Sequence, residues 1–443
     1  MTQDNESKQL DTVIVGGGLA GLTAGYLLRN RDILLLEKED ICGGRTISQE
    51  LGEYVYNTGA QVILGDTSLV ARLADELGVR RTLIAKTKIP MYIRERLITS
   101  SSEAGFIWQL PLPLAEKVKL GLKIYSLRRR FRSLIHETLN PQDPRILQLN
   151  SVTLEELVRS RHPDVNAIWD ILAISSTALP ANEVTAYYPL KAFLHFLDDE
   201  YYVEGGTGSL ARALYHRIAD KTETGAEVLE IAHEDGKVGV TYERDGQRRT
   251  VRSWRCVVAV PGPLVLSTVK DLPSWKREAL SRVEFRPGTS AAFLLSEPTE
   301  NFLGEGVWRV PVVGRRFCSM TNPTFTFPRE MKERAGGLIR VFAVGGESRE
   351  LMNRSDGEAL EMLTDDLIST FPNMKGKMKA SAIKHWEYAL VPWRPGRLEV
   401  TSAIQAPTGN IHYCGDYTVS AGMEAAVLSA YRAVESIQKE PVL

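Results

Sequence analysis

The sequence predicts an α/β protein of two domains: one built on a parallel sheet with an added β-meander, the other α+β. Three observations carry this. Residues 11–37 read as strand, glycine turn, helix and strand. Residues 226–260 read as three short strands joined by Asp-Gly turns, then a buried strand ended by Pro261. Residues 411–437 close the chain with one more strand and a helix. A chain of 443 residues has room for two domains or one elaborated domain.

Residues 12–15 are a β-branched run, as a buried strand needs. Gly16, Gly18 and Gly21 follow at the G-x-G-x-x-G spacing, and Leu19 and Ala20 open a helix that reads to Leu28. Residues 33–36 form the second strand, which ends on Glu37 and Lys38. Gly16 permits the tight turn, Gly18 lets a pyrophosphate approach the backbone, and Gly21 lets the helix lie close to the sheet. The helix N-terminus offers free N–H groups and a positive dipole end to that pyrophosphate. Glu37 stands 16 residues beyond Gly21, placed to accept hydrogen bonds from ribose hydroxyls. This is a Rossmann-like dinucleotide fingerprint in its structural context, and by itself it does not separate FAD from NAD. Gly43 and Gly44 again bring backbone close to something, with Arg45 and Thr46 behind them; Arg45 suits phosphate oxygens, or it is a solvated residue of a glycine turn.

The glycine fingerprint, Glu37 and the GGRT of residues 43–46, in this order, resemble the flavin amine oxidase, protoporphyrinogen oxidase and phytoene desaturase superfamily. The resemblance implies FAD, non-covalent here because no cysteine lies near Trp393, held by a discontinuous domain of residues 1–80, 200–270 and 397–443. Residues 81–199 and 271–396 would form the substrate domain. It also implies FAD contacts at Gly59, Ala60 and Gln61, at Val228 beside the adenine, and at Gly415, Asp416, Gly422, Met423 and Ala425. Asn57 stands where the family often has Asp. The terminal pattern GDYT…GMEAAVLSAYRA looks closer to the plant-type carotenoid desaturases than to the monoamine oxidases. The helix that follows would point its N-terminus at the flavin edge that gains negative charge on reduction.

Composition excludes other classes. Hydrophobic residues are 43%, charged residues 25% and net charge −1, so no global field points to nucleic acid. Four scattered cysteines without C-x-x-C argue against zinc or a disulfide framework, and no metal is expected. The polar opening lacks a signal-peptide pattern and no run of 18 apolar residues occurs, so a cytoplasmic enzyme is expected. One segment departs from this: residues 106–139 interleave Leu and Ile with seven Lys and Arg and one Glu before position 133. It reads either as a basic amphipathic helix on an anionic membrane surface or as a substrate-domain helix with a solvated basic face.

Residues 151–197 read as helical, interrupted at Pro163, Pro180 and Pro189, with Thr153 and Glu156 as a capping box. Residues 201–214 lead through Gly205, Gly206 and Gly208 into another helix. Residues 286–344 alternate apolar strands with turns, and residues 356–370 form an amphipathic helix.

The fold implies a substrate C–H over flavin N5 and a two-electron oxidation, with O2 or another acceptor taking the electrons. The family's amine oxidases use a lysine near N5; the strand count here puts Ser290 at that position, with Lys384 the candidate substitute if the count slips. They also wall the substrate with two aromatics; one position falls on Gly422, the other on Trp393. Trp386 is either a flavin neighbour or a packed indole at a domain seam, and His195, His385 and His412 are acid–base candidates by residue type alone. These features favour dehydrogenation or oxidation of a medium-to-large organic substrate, C–H next to N or C=C, as in specialised metabolism. An amine oxidase for a small amine or amino acid is the alternative. A non-catalytic escort protein on the same fold is a third reading, which the retained glycines oppose.

Overall fold

The computed structural model describes residues 10–135, 143–196, 199–326 and 336–439. The expectations for the opening residues 1–9, for 136–139 of the basic segment, for 440–443 and for the His195 side chain lie outside the described residues.

The fold is α/β around a seven-stranded mixed sheet. Leu10–Val15 lies parallel to Ile33–Leu36 on one side and to the second half of Gln247–Val258 on the other. Thr222–Glu223 and Ile411–Tyr413 extend the parallel part. Val13, Ile14, Leu35 and Val257 are fully buried, which is why these strands read as unbroken apolar runs rather than alternating ones. Lys237–Arg244 pairs antiparallel with Gln247–Val258, and Glu227–Glu234 pairs antiparallel with Lys237–Arg244, which completes the meander. Its turns, Asp235-Gly236 and Asp245-Gly246, have positive φ at both residues, the geometry that follows the strands' twist. The last two strands expected here are one strand of 12 residues. Nothing between Trp254 and Cys256 breaks the chain, so the meander runs straight into the parallel sheet.

The helices Leu19–Leu27 and Met423–Lys439 pack together on this sheet. A Cβ at Gly21 would stand 1.9 Å from the Gly16 carbonyl oxygen, so only glycine allows that approach of helix to strand.

A second sheet is antiparallel, in the order Arg309–Pro311, Phe317–Thr321, Gly337–Val344, Arg286–Leu295, Met378–Leu390. One face packs Phe293, Ile339 and Val341 against Leu363 and Leu367 of the helix Asp356–Thr370. That helix has the bounds its pattern predicts and a capping box between Ser355 and Glu358. The aromatic segment around Trp386 belongs to the last strand of this sheet.

Thr153 and Glu156 form the expected capping box. Pro163 and Pro189 do not interrupt helices but open them: Pro163–Thr177 starts on one, and Pro189 is the third residue of Tyr187–Phe196. The first turn donates no inward N–H, so proline costs nothing there. Pro111 and Pro113 part the basic segment into Glu103–Gln109 and Leu114–Phe131, with a short 3-10 turn at Arg132–Ile135. Among the described residues no helix is long and apolar enough to cross a membrane.

Candidate active site

Four of the parallel strands end at Gly16, Glu37, Ala259 and the Cys414-Gly415 step. Gly16, Glu37, Ala259 and Gly415 all line one cavity of about 1500 Å³, at the carboxyl ends of the strands, where open α/β sheets bind ligands.

One end of this cavity is a backbone cradle. A Cβ at Gly18 would meet nothing within 4 Å, and one at Gly44 (φ +53°) would stand 3.1 Å from the Gly18 Cα. Gly18 caps the helix Leu19–Leu27 with no side-chain hydrogen bond, so that helix end keeps donors for an anion. Glu37 is 8% exposed. Its Oε2 accepts from the Gly17 N–H at 2.5 Å and its Oε1 from the Glu39 N–H at 2.9 Å. Burial pushes its pKa up, and those two N–H groups oppose the rise. Each oxygen retains a lone pair for a ribose hydroxyl. This donor set, a bare glycine cradle beside a buried acid, fits the pyrophosphate and ribose of FAD.

Most residues expected to hold FAD line this one cavity: Gly16, Gly18, Leu19, Ala20, Glu37, Lys38, Gly44, Arg45, Thr46, Gly59, Ala60, Gln61, Val228, Gly415, Asp416, Gly422, Met423 and Ala425. Gly21 and Gly43 stand behind it; Gly43, at φ +136°, gives its N–H to the Gly17 carbonyl at 2.8 Å. Arg45 departs from expectation. Its guanidinium does not stand alone but grips Asp416 through two bonds of 2.8 and 2.7 Å, and also donates to the Ala389 carbonyl at 3.1 Å. Two motifs 371 residues apart are thus one ion pair. Asn57 is a similar junction: its Oδ1 accepts from Ser48 and from the Thr207 N–H, while its Nδ2 donates to the Gln61 carbonyl. An Asp could not make that last bond.

The other end of the cavity is floored by the second sheet. Register sets Arg309, Thr321, Arg340 and Ala292 in one cross-strand row, and Ser319, Phe342, Ser290 and Lys384 in the next. Opposed residues and those two apart share a face. Ser290 is 1% exposed and lies under the cavity surface, where its Oγ receives the Arg340 Nε at 2.7 Å. Lys384, directly across from it, lines the cavity, with its Nζ 5.2 Å from the Trp386 ring centre. Trp386 also lines the cavity, and its indole N–H donates to the Thr58 carbonyl at 3.1 Å. The indole therefore faces the chamber and also bonds the second sheet to the segment just after the strand Tyr54–Asn57.

Trp393 is not a wall. It is 2% exposed, absent from the cavity lining, and stacked 5.0 Å from the Arg397 guanidinium. At Gly422 the expected gap is filled from elsewhere: the Tyr188 hydroxyl lies 3.5 Å from where a Gly422 Cβ would stand. Burial, and after it the Asp416 charge, pushes Tyr188 up to about 12, so it remains a neutral hydroxyl. His385 shares its Nδ1 with Thr289 at 2.9 Å, and His412 is 2% exposed within the parallel sheet.

Arg340 is the residue that sequence reading missed. It is 2% exposed and lines the cavity, and its Nη2 donates to the Thr58 carbonyl at 3.3 Å. Among the described residues no carboxylate pairs with it. Burial pushes its pKa down, and the nearby Arg309 adds to this. Arg309 itself holds Glu200, which is 1% exposed and also takes Lys86. A signal was present: an arginine inside the apolar strand GLIRVFAV is a buried charge that needs a reason.

The comparisons agree with this geometry. The profile of the family described as flavin containing amine oxidoreductase matches residues 19–438. A probable flavin-containing monoamine oxidase A of Dictyostelium discoideum is 23% identical, covering 97% of both chains. An L-amino-acid oxidase of Pseudechis australis is 23% identical over 92% of this chain and 82% of its own. Among solved structures, putrescine oxidase bound to putrescine superposes with a TM-score of 0.79 at 16% identity, covering 98% of this chain and 100% of that one. A putative protoporphyrinogen oxidase from Exiguobacterium sp. gives 0.72 at 17% identity, covering 98% and 100%. With the glycine cradle, the buried acid and the terminal helix converging on one cavity, the chain belongs to the flavin-containing amine oxidoreductases and is an FAD-dependent oxidoreductase that binds its cofactor non-covalently.

Proposed function

We infer that this enzyme oxidises a medium-to-large organic substrate at a C–H next to nitrogen or a C=C, and that the substrate carries an anionic group received by Arg340. The observation that supports this is the cationic floor: Arg340 is buried, bonded to Ser290 and a carbonyl, and faces the cavity with no carboxylate of its own among the described residues. A guanidinium keeps its charge, so its depressed pKa expresses a desolvation cost that an incoming anion would relieve. In this reading residues 1–80, 200–270 and 397–443 hold the cofactor, and residues 81–199 and 271–396 shape the chamber. FAD, when bound, supplies the hydride acceptor at flavin N5. Tyr188, Phe342 and Trp386 exclude water and fix the reacting carbon, and Arg340 orients the far end. The start of the helix Met423–Lys439 meets the cavity at Met423; its positive end suits the negative charge of a reduced flavin. The enzyme would be cytoplasmic, with O2 or another acceptor, and would touch membranes peripherally through its basic segment.

A small-amine oxidase is the second reading. It is favoured by Lys384, which stands across from Ser290 and can offer an ammonium from the neighbouring strand. Anaerobic mixing with benzylamine, putrescine, amino acids and larger carboxylated amines, followed by flavin bleaching, separates the two. The larger carboxylated amines should bleach fastest, ahead of the amino acids. Arg340→Met should raise their KM by at least about tenfold, the lower end for a hydrogen bond to a charged group. Rapid bleaching by benzylamine or putrescine, untouched by Arg340→Met and abolished by Lys384→Met, would establish the second reading instead.

A further inference from the structure

The helix Leu114–Phe131 has two apolar faces. The inner one, Leu120, Leu127 and Phe131, is buried in the core. The outer one is Leu114, Val118, Leu122 and Tyr125, exposed by 62%, 54%, 65% and 65%. Their spacing of four, four and three places them in one stripe along the helix. Trp108, in the preceding helix Glu103–Gln109, is 66% exposed. Nine large apolar side chains stand exposed among the described residues, and five of them are these. They form a local ridge, not the scatter normal to a surface.

The charges around the ridge say what it meets. Between residues 103 and 132 the chain has seven Lys and Arg and two Glu, while its total charge is −1. At 100° per residue, Lys119 and Arg130 flank the stripe on one side and Lys117 and Arg128 on the other, with Arg129 within it. Lys117 lies over the Trp108 ring, 5.3 Å from its centre, and gives its ammonium to the Trp108 carbonyl. Arg128 is held by Glu103, Lys119 by Glu116 and Arg130 by the Gln148 amide. Arg129 and Arg132 have no carboxylate partner among the described residues. An apolar stripe edged by cations, with Trp and Tyr on it, matches the boundary between acyl chains and anionic headgroups.

We propose that the outer face of Leu114–Phe131, together with Trp108, is an in-plane docking surface for an anionic lipid bilayer. The ridge enters the headgroup boundary while the Lys and Arg rows contact the lipid phosphates and carboxylates. This rests on the peripheral contact inferred above and adds that apolar insertion, not charge alone, holds the enzyme there. It does not rest on the flavin chemistry. The inner side of the same segment supplies Phe106, Ile107, Leu120 and Ile124 to a small apolar cavity. That cavity shares Leu172, Phe193 and Pro311 with the main one, so the lipid-facing helix stands one layer from the reaction chamber.

The test is co-sedimentation of FAD-loaded full-length protein with vesicles. Wild type should partition at least about tenfold more strongly onto phosphatidylcholine vesicles holding roughly 30 mol % phosphatidylserine than onto phosphatidylcholine alone. Val118→Ser, Leu122→Ser and Tyr125→Ser combined should lose about tenfold or more of that binding, with FAD content and Tm unchanged because these side chains are exposed. Wild-type binding should partly survive roughly 0.5 M NaCl, which screens the charge contribution. If the triple variant binds like wild type and salt removes all binding, charge alone makes the contact and the ridge proposal is overturned. If wild type binds neither vesicle, the peripheral contact falls too. If light scattering shows a dimer that the triple variant turns into monomer, a second copy covers the ridge and the lipid assignment is overturned.

Discussion

Glu37 shows how one carboxylate can be read twice. In the free protein its burial raises the pKa above the ordinary glutamate value of about 4.3. Ribose hydroxyls donate to the ionised form, so FAD favours the carboxylate. Binding therefore releases a proton wherever the free protein still holds one, and affinity rises with pH through the window just above the ordinary value, then levels off. FAD titration by fluorescence quenching across that window should show this slope, and Glu37→Gln should flatten it. Glu37→Ala should weaken FAD by at least about tenfold, since hydrogen bonds to a charged group contribute roughly 1.5–3 kcal/mol each. An unchanged affinity would remove Glu37 from the site.

At the scale of elements, Glu424 links two helices that the chain separates widely. Its two oxygens accept the Leu69 and Val70 N–H groups at 2.9 and 3.0 Å, capping the helix Leu69–Glu76 from the first turn of Met423–Lys439. A carboxylate at a helix N-terminus meets both the free donors and the positive dipole end. Glu424→Ala should cost about 1–2 kcal/mol, read as a lower denaturation midpoint with unchanged slope. Glu424→Gln should recover part of this, because the amide oxygen can cap one donor. If both variants match wild type, water replaces the cap and the link carries no stability.

For the whole molecule, the cofactor cavity is the place where distant segments meet. Residues near 16–46, 59–61, 228 and 415–425 reach it from separate parts of the chain. A ligand that binds only the folded state stabilises it by RT ln(1 + [L]/Kd), about 2.7 kcal/mol at a hundredfold excess over Kd. Stripped of FAD, the protein should therefore melt several degrees lower, and adding FAD should restore the midpoint in proportion to the logarithm of its concentration. A Tm indifferent to FAD would mean that the cavity is not the cofactor's seat.

The sequence by itself determined what depends on near neighbours. The G-x-G-x-x-G turn, the strand ending on Glu37, the Asp-Gly hairpins and the capping boxes at Thr153 and Ser355 are all set within a few residues, by φ preferences, donor spacing and periodicity. Tertiary structure alone decided the rest. It paired Arg45 with Asp416, brought Tyr188 to the gap at Gly422, buried Trp393 away from the chamber and set Arg340 on Ser290. Each of these joins strands or helices whose relative placement depends on sheet order and register. Local propensity is blind to both, because a one-residue change of register turns a side chain from the chamber into the core.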